Sequence, residues 1–281
     1  MKESNFNMKS SCGLNLFGRD WHPDDQAPKA VITLIHGLGD HSGRFAHVAK
    51  FFTNCGIAVT TFDLPGHGRS EGKRGHFESY DAVMQDIQSL VQYTVNKYPD
   101  LPVFLYGHSL GGALVLYFGY TQNANLYGLV VTSPGLSPAA PIPPFKLVMG
   151  KILSRVLPSF GMDNGLDTSG ISHDPLVVER YRNDPLVHPF ISARLGMDLI
   201  ANGEWILARN SSSPFPYPLL FMQGDQDRLV NPQKNIAFGQ QLTGDVTFKT
   251  WQGMYHELHN ETDQLDVFHL IFDWIEHRLI E

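Results

Sequence analysis

The 281-residue chain predicts the α/β class: a mostly parallel central sheet with helices on both faces and an inserted helical cap. Three observations carry that expectation. Short, almost continuously apolar runs such as Ala30-Val31-Ile32-Thr33-Leu34-Ile35 alternate with stretches whose apolar residues recur at helical spacing. That alternation is the pattern of strands buried on both faces between crossover helices. One apolar run, Val103-Phe104-Leu105-Tyr106, leads straight into Gly107-His108-Ser109-Leu110-Gly111 and then the helix-forming residues 113–118. Finally, residues 133–214 break the rhythm with many prolines and short polar turns. About 80 residues are too many for an ordinary connection, so this stretch is assigned to a cap over the C-terminal strand edge, where ligands bind in such sheets.

Each element follows from local pattern. Residues 8–21, with Gly13 and Gly18, read as an antiparallel edge hairpin. After the strand at 30–35, Phe45, Val48, Phe51 and Phe52 recur at helical spacing. Residues 57–62 are strand-like and stop at the turn cluster Asp63-Leu64-Pro65-Gly66, a backbone breaker. Val83, Met84, Ile87, Leu90, Val91 and Val95 mark one face of a helix over 80–98, which Pro99 must end. Beyond the Ser109 turn, residues 126–132, 216–223 and 245–251 read as strands, with a helix starting near Pro232 between the last two. Residues 263–279 close the chain as an amphipathic helix. Within the cap, no strand is expected, and residues 145–157 and 189–207 are the helix-like patches. The expected organisation is a core in two parts, 1–132 and 215–281, around a cap at 133–214.

Composition excludes several classes. A hydrophobic share of 42% with 17% charged residues describes a globular chain, not a disordered one. The net charge of −7, with no basic cluster longer than Lys73-Arg74, argues against a nucleic-acid partner. Cys12 and Cys55 make neither a disulfide framework nor a four-ligand metal site, and are expected as free thiols in a reducing compartment. Residues 1–11 hold no apolar stretch of a secretory signal, and no run approaches the ~20 apolar residues of a bilayer span. A cytoplasmic location, peripheral to the membrane at most, is expected.

The chemistry centres on Ser109. Small residues at 107 and 111 permit a turn so sharp that the serine stands exposed at the strand end, a nucleophile elbow. A serine hydroxyl is a weak nucleophile at its own pKa and needs a base and an orienting acid. Gln223-Gly224-Asp225-Gln226-Asp227 follows one late strand, and Gln252-Gly253-Met254-Tyr255-His256 follows the next. In the resulting order Ser, Asp, His, the histidine takes the serine proton and later returns it to the leaving alcohol. The aspartate holds the imidazole tautomer and stabilises its cation. These residues leave Asp225 and Asp227 both open as the acid, and His259 competing with His256 as the base. His36, His67 and His108 lie in earlier loops that this order does not use. Acyl transfer also needs oxyanion donors: the backbone N–H of Leu110 is one, and His36-Gly37-Leu38-Gly39 offers the second, from Leu38. His256-Glu257-Leu258-His259 lacks the spacing of the His-Glu-x-x-His zinc helix, so neither metal nor cofactor is expected.

Four stretches then identify a resemblance. His36-Gly37-Leu38-Gly39-Asp40-His41-Ser42-Gly43-Arg44, the run Asp63-Leu64-Pro65-Gly66-His67-Gly68-Arg69-Ser70-Glu71-Gly72, Gly107-His108-Ser109-Leu110-Gly111-Gly112 and Gln223-Gly224-Asp225-Gln226-Asp227-Arg228 resemble the monoacylglycerol lipases. These are serine α/β-hydrolases related to lysophospholipases, and the likeness spans about residues 30–259, weaker across the cap. It implies the α/β-hydrolase fold, Ser109, Asp227 and His256 as the triad, and Arg44 and His259 as ligands of the glycerol hydroxyls. The glutamate that the family uses early in the cap has no counterpart in Pro138-Ala139-Ala140-Pro141-Ile142-Pro143-Pro144.

The first half of the cap is apolar through Phe145, Leu147, Val148, Met149, Ile152, Leu153, Val156 and Leu157, punctuated by Lys146, Lys151 and Arg155. It reads either as a lid that lines an acyl tunnel and touches a membrane surface, its cations at the interface, or as a helix packed on the main domain. The expected function is a serine carboxylester hydrolase that takes a lipid ester, releasing a fatty acid and glycerol from monoacylglycerols. A lysophospholipase or broad carboxylesterase is the alternative, and a non-catalytic ligand-binding member of the same fold the remote one.

Overall fold

The computed structural model describes residues 1–209 and 213–280; residues 210–212 of the expected cap, and residue 281, lie outside the described residues. In chain order the first part runs β1 (Lys2–Lys9), β2 (Asn15–His22), β3 (Ala30–Ile35), α1 (Ala46–Asn54), β4 (Ile57–Phe62), α2 (Tyr80–Lys97), β5 (Val103–His108), α3 (Leu110–Thr121) and β6 (Gly128–Thr132). The insertion then carries α4 (Pro144–Val156), β7 (Gly161–Asp163), α5 (Pro175–Asn183), β8 (Phe190–Ser192) and α6 (Ala193–Leu207). The last part is β9 (Leu219–Gly224), α7 (Pro232–Gln241), β10 (Val246–Trp251) and α8 (Gln264–Ile280).

Eight strands form one sheet in the order β1-β2-β4-β3-β5-β6-β9-β10. The pairings from β4 to β10 are parallel, and β1 and β2 join as an antiparallel edge. Strands β3, β4, β5, β6 and β9 are buried at every position, which explains why they read as unbroken apolar runs. Alternate residues serve opposite faces. Leu105, Val131 and Phe221 pack with Ile87 of α2 and Leu114 of α3, while Phe104, Val130 and Leu220 pack with Phe52 of α1 and Phe268 and Ile271 of α8. Helices therefore cover both faces of the sheet, and every parallel strand ends at the same edge.

The hairpin differs from expectation. Strand β1 starts at Lys2 and pairs through to Lys2↔His22, not from residue 8. Its outer half is exposed and polar, so no apolar alternation marks it upstream of Phe6. The insertion differs too. It contains a short antiparallel pair, β7 with β8, where no strand was expected, and β8 takes the start of the expected helix at 189–207. Ser192 then caps α6 by accepting from the Leu195 amide. Helix α5 was not expected, although Asp174 accepting from Leu176 N and Pro175 in the first turn are both ordinary start signals.

The insertion docks on the strand-end loops through backbone contacts. His188 N donates to Gly39 O at 3.0 Å, Ser192 N to Gly75 O at 2.8 Å, and Glu257 N to Ile171 O at 2.8 Å. His41 Nε2 and Asp184 Oδ2 add a side-chain link at 2.9 Å. Cys12 and Cys55 are free thiols, and among the described residues no helix is long and apolar enough to cross a membrane.

Candidate active site

Ser109 occupies the turn between β5 and α3 with φ 56° and ψ −118°, a region that L-residues avoid at a cost of about 1–3 kcal/mol. The surroundings hold it there. Ser109 N donates to Thr132 O at 3.0 Å, and its carbonyl accepts from Ala113 N at 3.0 Å and Gly135 N at 2.9 Å. The glycines are sterically required, since a Cβ at Gly107 would lie 2.2 Å from Gly111 O and one at Gly111 would lie 2.2 Å from Ile35 O. The elbow expected from the sequence is thus a tightly determined piece of backbone.

The loops after β9 and β10 bring the other two groups to this turn. His256 Nε2 lies 2.8 Å from Ser109 Oγ, and His256 Nδ1 lies 2.7 Å from Asp227 Oδ2. Asp227 Oδ1 accepts from the amides of Leu229 and Val230 at 2.8 and 3.0 Å. Its Oδ2 also accepts from Gln223 Nε2 at 3.1 Å, and Asn235 Nδ2 fixes Gln223 Oε1 at 2.8 Å. Gln223 and Asn235 escaped the sequence reading; the signal was a glutamine at the end of an otherwise apolar strand.

Of the two aspartates left open, Asp225 turns away to accept from Gly253 N at 2.7 Å, tying its loop together. Burial raises the proton affinity of Asp227, but the charge and hydrogen bond of His256 and the two amides outweigh it, leaving its pKa below the usual value. Burial disfavours the His256 cation, yet the charge and hydrogen bond of Asp227 and the charge of Glu257 hold its pKa above the ordinary histidine value. A proton accepted from Ser109 is therefore stabilised where it lands.

Leu38 and Leu110 both border a cavity of about 930 Å³ that contains Ser109 and His256. Leu110 opens α3, so its amide is one of the first-turn N–H groups with no partner inside the helix. Around the cavity stand Leu136, Leu147, Leu153, Ile191, Met197 and Ile200. Gly150 is the only buried residue among the described residues of α4, and it lies against Met197 of α6. Phe145, Leu147, Met149, Gly150 and Leu153 border the cavity, while Val148, Ile152 and Val156 are exposed and do not line it.

Arg44 and His259, expected as glycerol ligands, do not border this cavity. Arg44 is engaged by Glu257 and Asp40. His259 is fully buried, its ring 4.5 Å from Phe45 and 4.7 Å from His108. With Arg44 only partly exposed and His259 fully buried, neither side chain borders the cavity, which runs against the expected ligand role. Of the two histidines left open, His256 and not His259 lies against Ser109 Oγ. The other early-loop rings make structural bonds: His36 Nε2 accepts from Leu64 N at 2.9 Å, and His108 Nδ1 lies 3.1 Å from Thr132 Oγ1. Among the described residues no group of three or more His, Cys, Asp or Glu side chains could hold a metal ion.

Sheet order, elbow and strand-end loops together define an α/β-hydrolase. The family of serine aminopeptidases, S33, matches residues 26–263. A monoacylglycerol lipase of Mycolicibacterium smegmatis is 34% identical over 257 residues, spanning 91% of this chain and 90% of that protein. An abhydrolase-domain-containing protein of Dictyostelium discoideum is 38% identical over 287 residues, spanning 99% of this chain but 30% of that protein. The crystal structure of Paleococcus ferrophilus monoacylglycerol lipase superposes with a TM-score of 0.84 at 32% identity, covering 94% of this chain and 99% of that one. The chain belongs to the S33 hydrolase family and, within the α/β-hydrolases, to the monoacylglycerol lipase family.

Proposed function

We propose that the protein is a serine carboxylester hydrolase that releases a fatty acid and glycerol from monoacylglycerols. The reading is carried by one observation: the hydrogen-bonded chain Ser109–His256–Asp227 opens into a large, mainly apolar cavity. Ser109 Oγ attacks the ester carbonyl while His256 Nε2 takes its proton, and the Leu38 and Leu110 amides receive the oxyanion. His256 returns the proton to the departing glycerol oxygen, leaving the acyl group on Ser109. Water, losing a proton to His256, adds to the acyl carbonyl; the bond to Ser109 Oγ breaks, His256 returns the proton to Oγ, and the fatty acid leaves. Asp227 keeps Nδ1 protonated and stabilises the imidazolium throughout. Each methylene of the acyl chain buried in the cavity contributes roughly 0.8 kcal/mol, so chain burial dominates binding.

Residues 133–214 serve in this reading as the lid. The exposed apolar side of α4 faces the lipid surface from which the substrate comes, with Lys146, Lys151 and Arg155 at the headgroup level. The test is turnover of monoolein against lysophosphatidylcholine and triolein. Monoolein should give the highest kcat/KM. Preference for lysophosphatidylcholine would replace the substrate assignment with the lysophospholipase reading and leave the mechanism in place.

A further inference from the structure

The chemistry above makes no use of Arg44, yet its side chain is only 10% exposed and every contact it makes is specific. Nη1 and Nη2 donate to Oε1 and Oε2 of Glu257 at 2.8 and 2.7 Å. Nη1 also stands 3.0 Å from Asp40 Oδ2, and the guanidinium carbon lies 4.6 Å from the centre of the Tyr181 ring. These partners belong to three separate pieces of the molecule. Asp40 is two residues beyond Leu38 in the loop after β3, Glu257 directly follows His256, and Tyr181 sits on α5 of the insertion.

Each partner is itself anchored. Asp40 Oδ1 accepts from His41 N at 2.7 Å, Asn260 Nδ2 donates to Glu257 Oε2 at 2.7 Å, and Glu257 N donates to Ile171 O of the insertion. Burial opposes the Glu257 charge, but the charge and hydrogen bonds of Arg44 overcome it and hold its pKa well below the usual carboxylate range. Stability alone is a poor reason for such a cluster, because apolar side chains of equal volume commonly hold a fold as well as a buried ion pair does. A planar guanidinium fork adds fixed geometry between the groups it bridges.

We propose that Arg44 is a positioning residue: by joining Asp40 to Glu257 it fixes the oxyanion loop and the base loop at one separation, and its stacking against Tyr181 ties that separation to the seating of the insertion. The proposal rests on Ser109 and His256 being nucleophile and base. The Leu38 amide must meet the developing oxyanion while His256 takes the proton, and a misplacement of about 1 Å costs on the order of 10²-fold in rate.

The test uses Arg44→Lys, Glu257→Gln and the double variant, assayed with monoolein and with p-nitrophenyl butyrate. Each rate is divided by the number of sites that a fluorophosphonate probe titrates. In Arg44→Lys, kcat per titrated site should fall roughly 10²-fold on both substrates. KM should stay within about threefold, the signature of an interaction felt in the transition state. The double variant should fall little below the worse single one, since the two residues act as one unit. Glu257→Gln, which keeps an acceptor for Arg44, carries the same comparison if Arg44→Lys does not fold. A purely structural role would reduce the titrated sites and the melting temperature with wild-type turnover per site, and would overturn the proposal. A raised KM for monoolein alone, with kcat intact, would make Arg44 a substrate ligand and also overturn it. Failure of the wild-type protein to label would instead defeat the assignment of Ser109.

Discussion

Below the cavity, the loops carrying Ser109, Asp227 and His256 are held by short bonds on every side, from the Thr132 carbonyl under the elbow to the Gln223–Asn235 pair behind Asp227. Above it, α4 buries a single residue, Gly150, and exposes Phe145, Val148, Met149, Ile152 and Val156. The two regions border the same space and answer opposite requirements. Transition-state charge is stabilised only by groups already in place when it develops, so the floor is polar and closely hydrogen-bonded. In the proposed reading the roof meets either water or lipid on its outer side, and Val148, Ile152 and Val156 of α4 are exposed there.

Substitutions in the floor should give the largest effects. Ser109→Ala and His256→Ala should each lower kcat by about 10⁶-fold, measured on any ester, with the melting temperature little changed. Asp227→Asn should cost about 10⁴-fold by favouring the wrong imidazole tautomer. The pH profile probes the same chain. His256 must be neutral to act, and its pKa is raised by Asp227 and Glu257 against the opposing effect of burial. His108 and His259, the other titratable rings beside it, are held neutral mainly by burial. Activity should therefore be lost as pH falls through a midpoint above the ordinary value of about 6.5, and Glu257→Gln should move that midpoint down. A midpoint below 6.5 in the wild-type protein would break the contrast.

The roof should respond differently. Val148→Ser with Ile152→Ser should weaken binding to phosphatidylcholine vesicles about 10- to 100-fold, given roughly 1.5–3 kcal/mol for each large apolar side chain removed from a lipid contact. Hydrolysis of p-nitrophenyl butyrate should hold within about twofold, because an exposed surface substitution does little to the fold. Equal loss on both measurements would mean that α4 belongs with the floor after all.

The smallest effect is expected at His259. Burial holds His36, His67, His108, His188 and His259 below the ordinary histidine pKa, His188 at about 4. On unfolding these rings bind protons from about pH 6.5 downward, so the unfolded state binds more protons and stability falls as pH drops below that value. Both His259 ring nitrogens lack a partner among the described residues. His259→Phe should thus flatten the loss by up to about 1.4 kcal/mol per pH unit, read from urea unfolding at pH 5 and 7. A monoolein KM that rose sharply in this variant would instead support a glycerol-binding role for His259.

The parts of this account legible in the sequence are those with local signatures. Buried parallel strands show as apolar runs, and the elbow shows because Gly107 and Gly111 are sterically compelled. Asp227 and Asp225 could not be separated by spacing, since both follow β9; only the fold turns one toward His256 and the other toward Gly253. Arg44 is another case. Its motif marks a residue near the site, whereas its ion pair is with Glu257, far away in sequence, which no local pattern connects to it. The polar half of β1 and the three-residue strands β7 and β8 are too exposed or too short to leave a periodic trace.

The central claim is that the floor activates one hydroxyl. Intact-protein and peptide mass spectrometry after brief exposure to a fluorophosphonate tests it most directly. One adduct per chain, on Ser109, absent from Ser109→Ala and formed far more slowly in Asp227→Asn, is the expected result. An unlabelled wild-type chain, or an adduct that persists in Ser109→Ala, would contradict it.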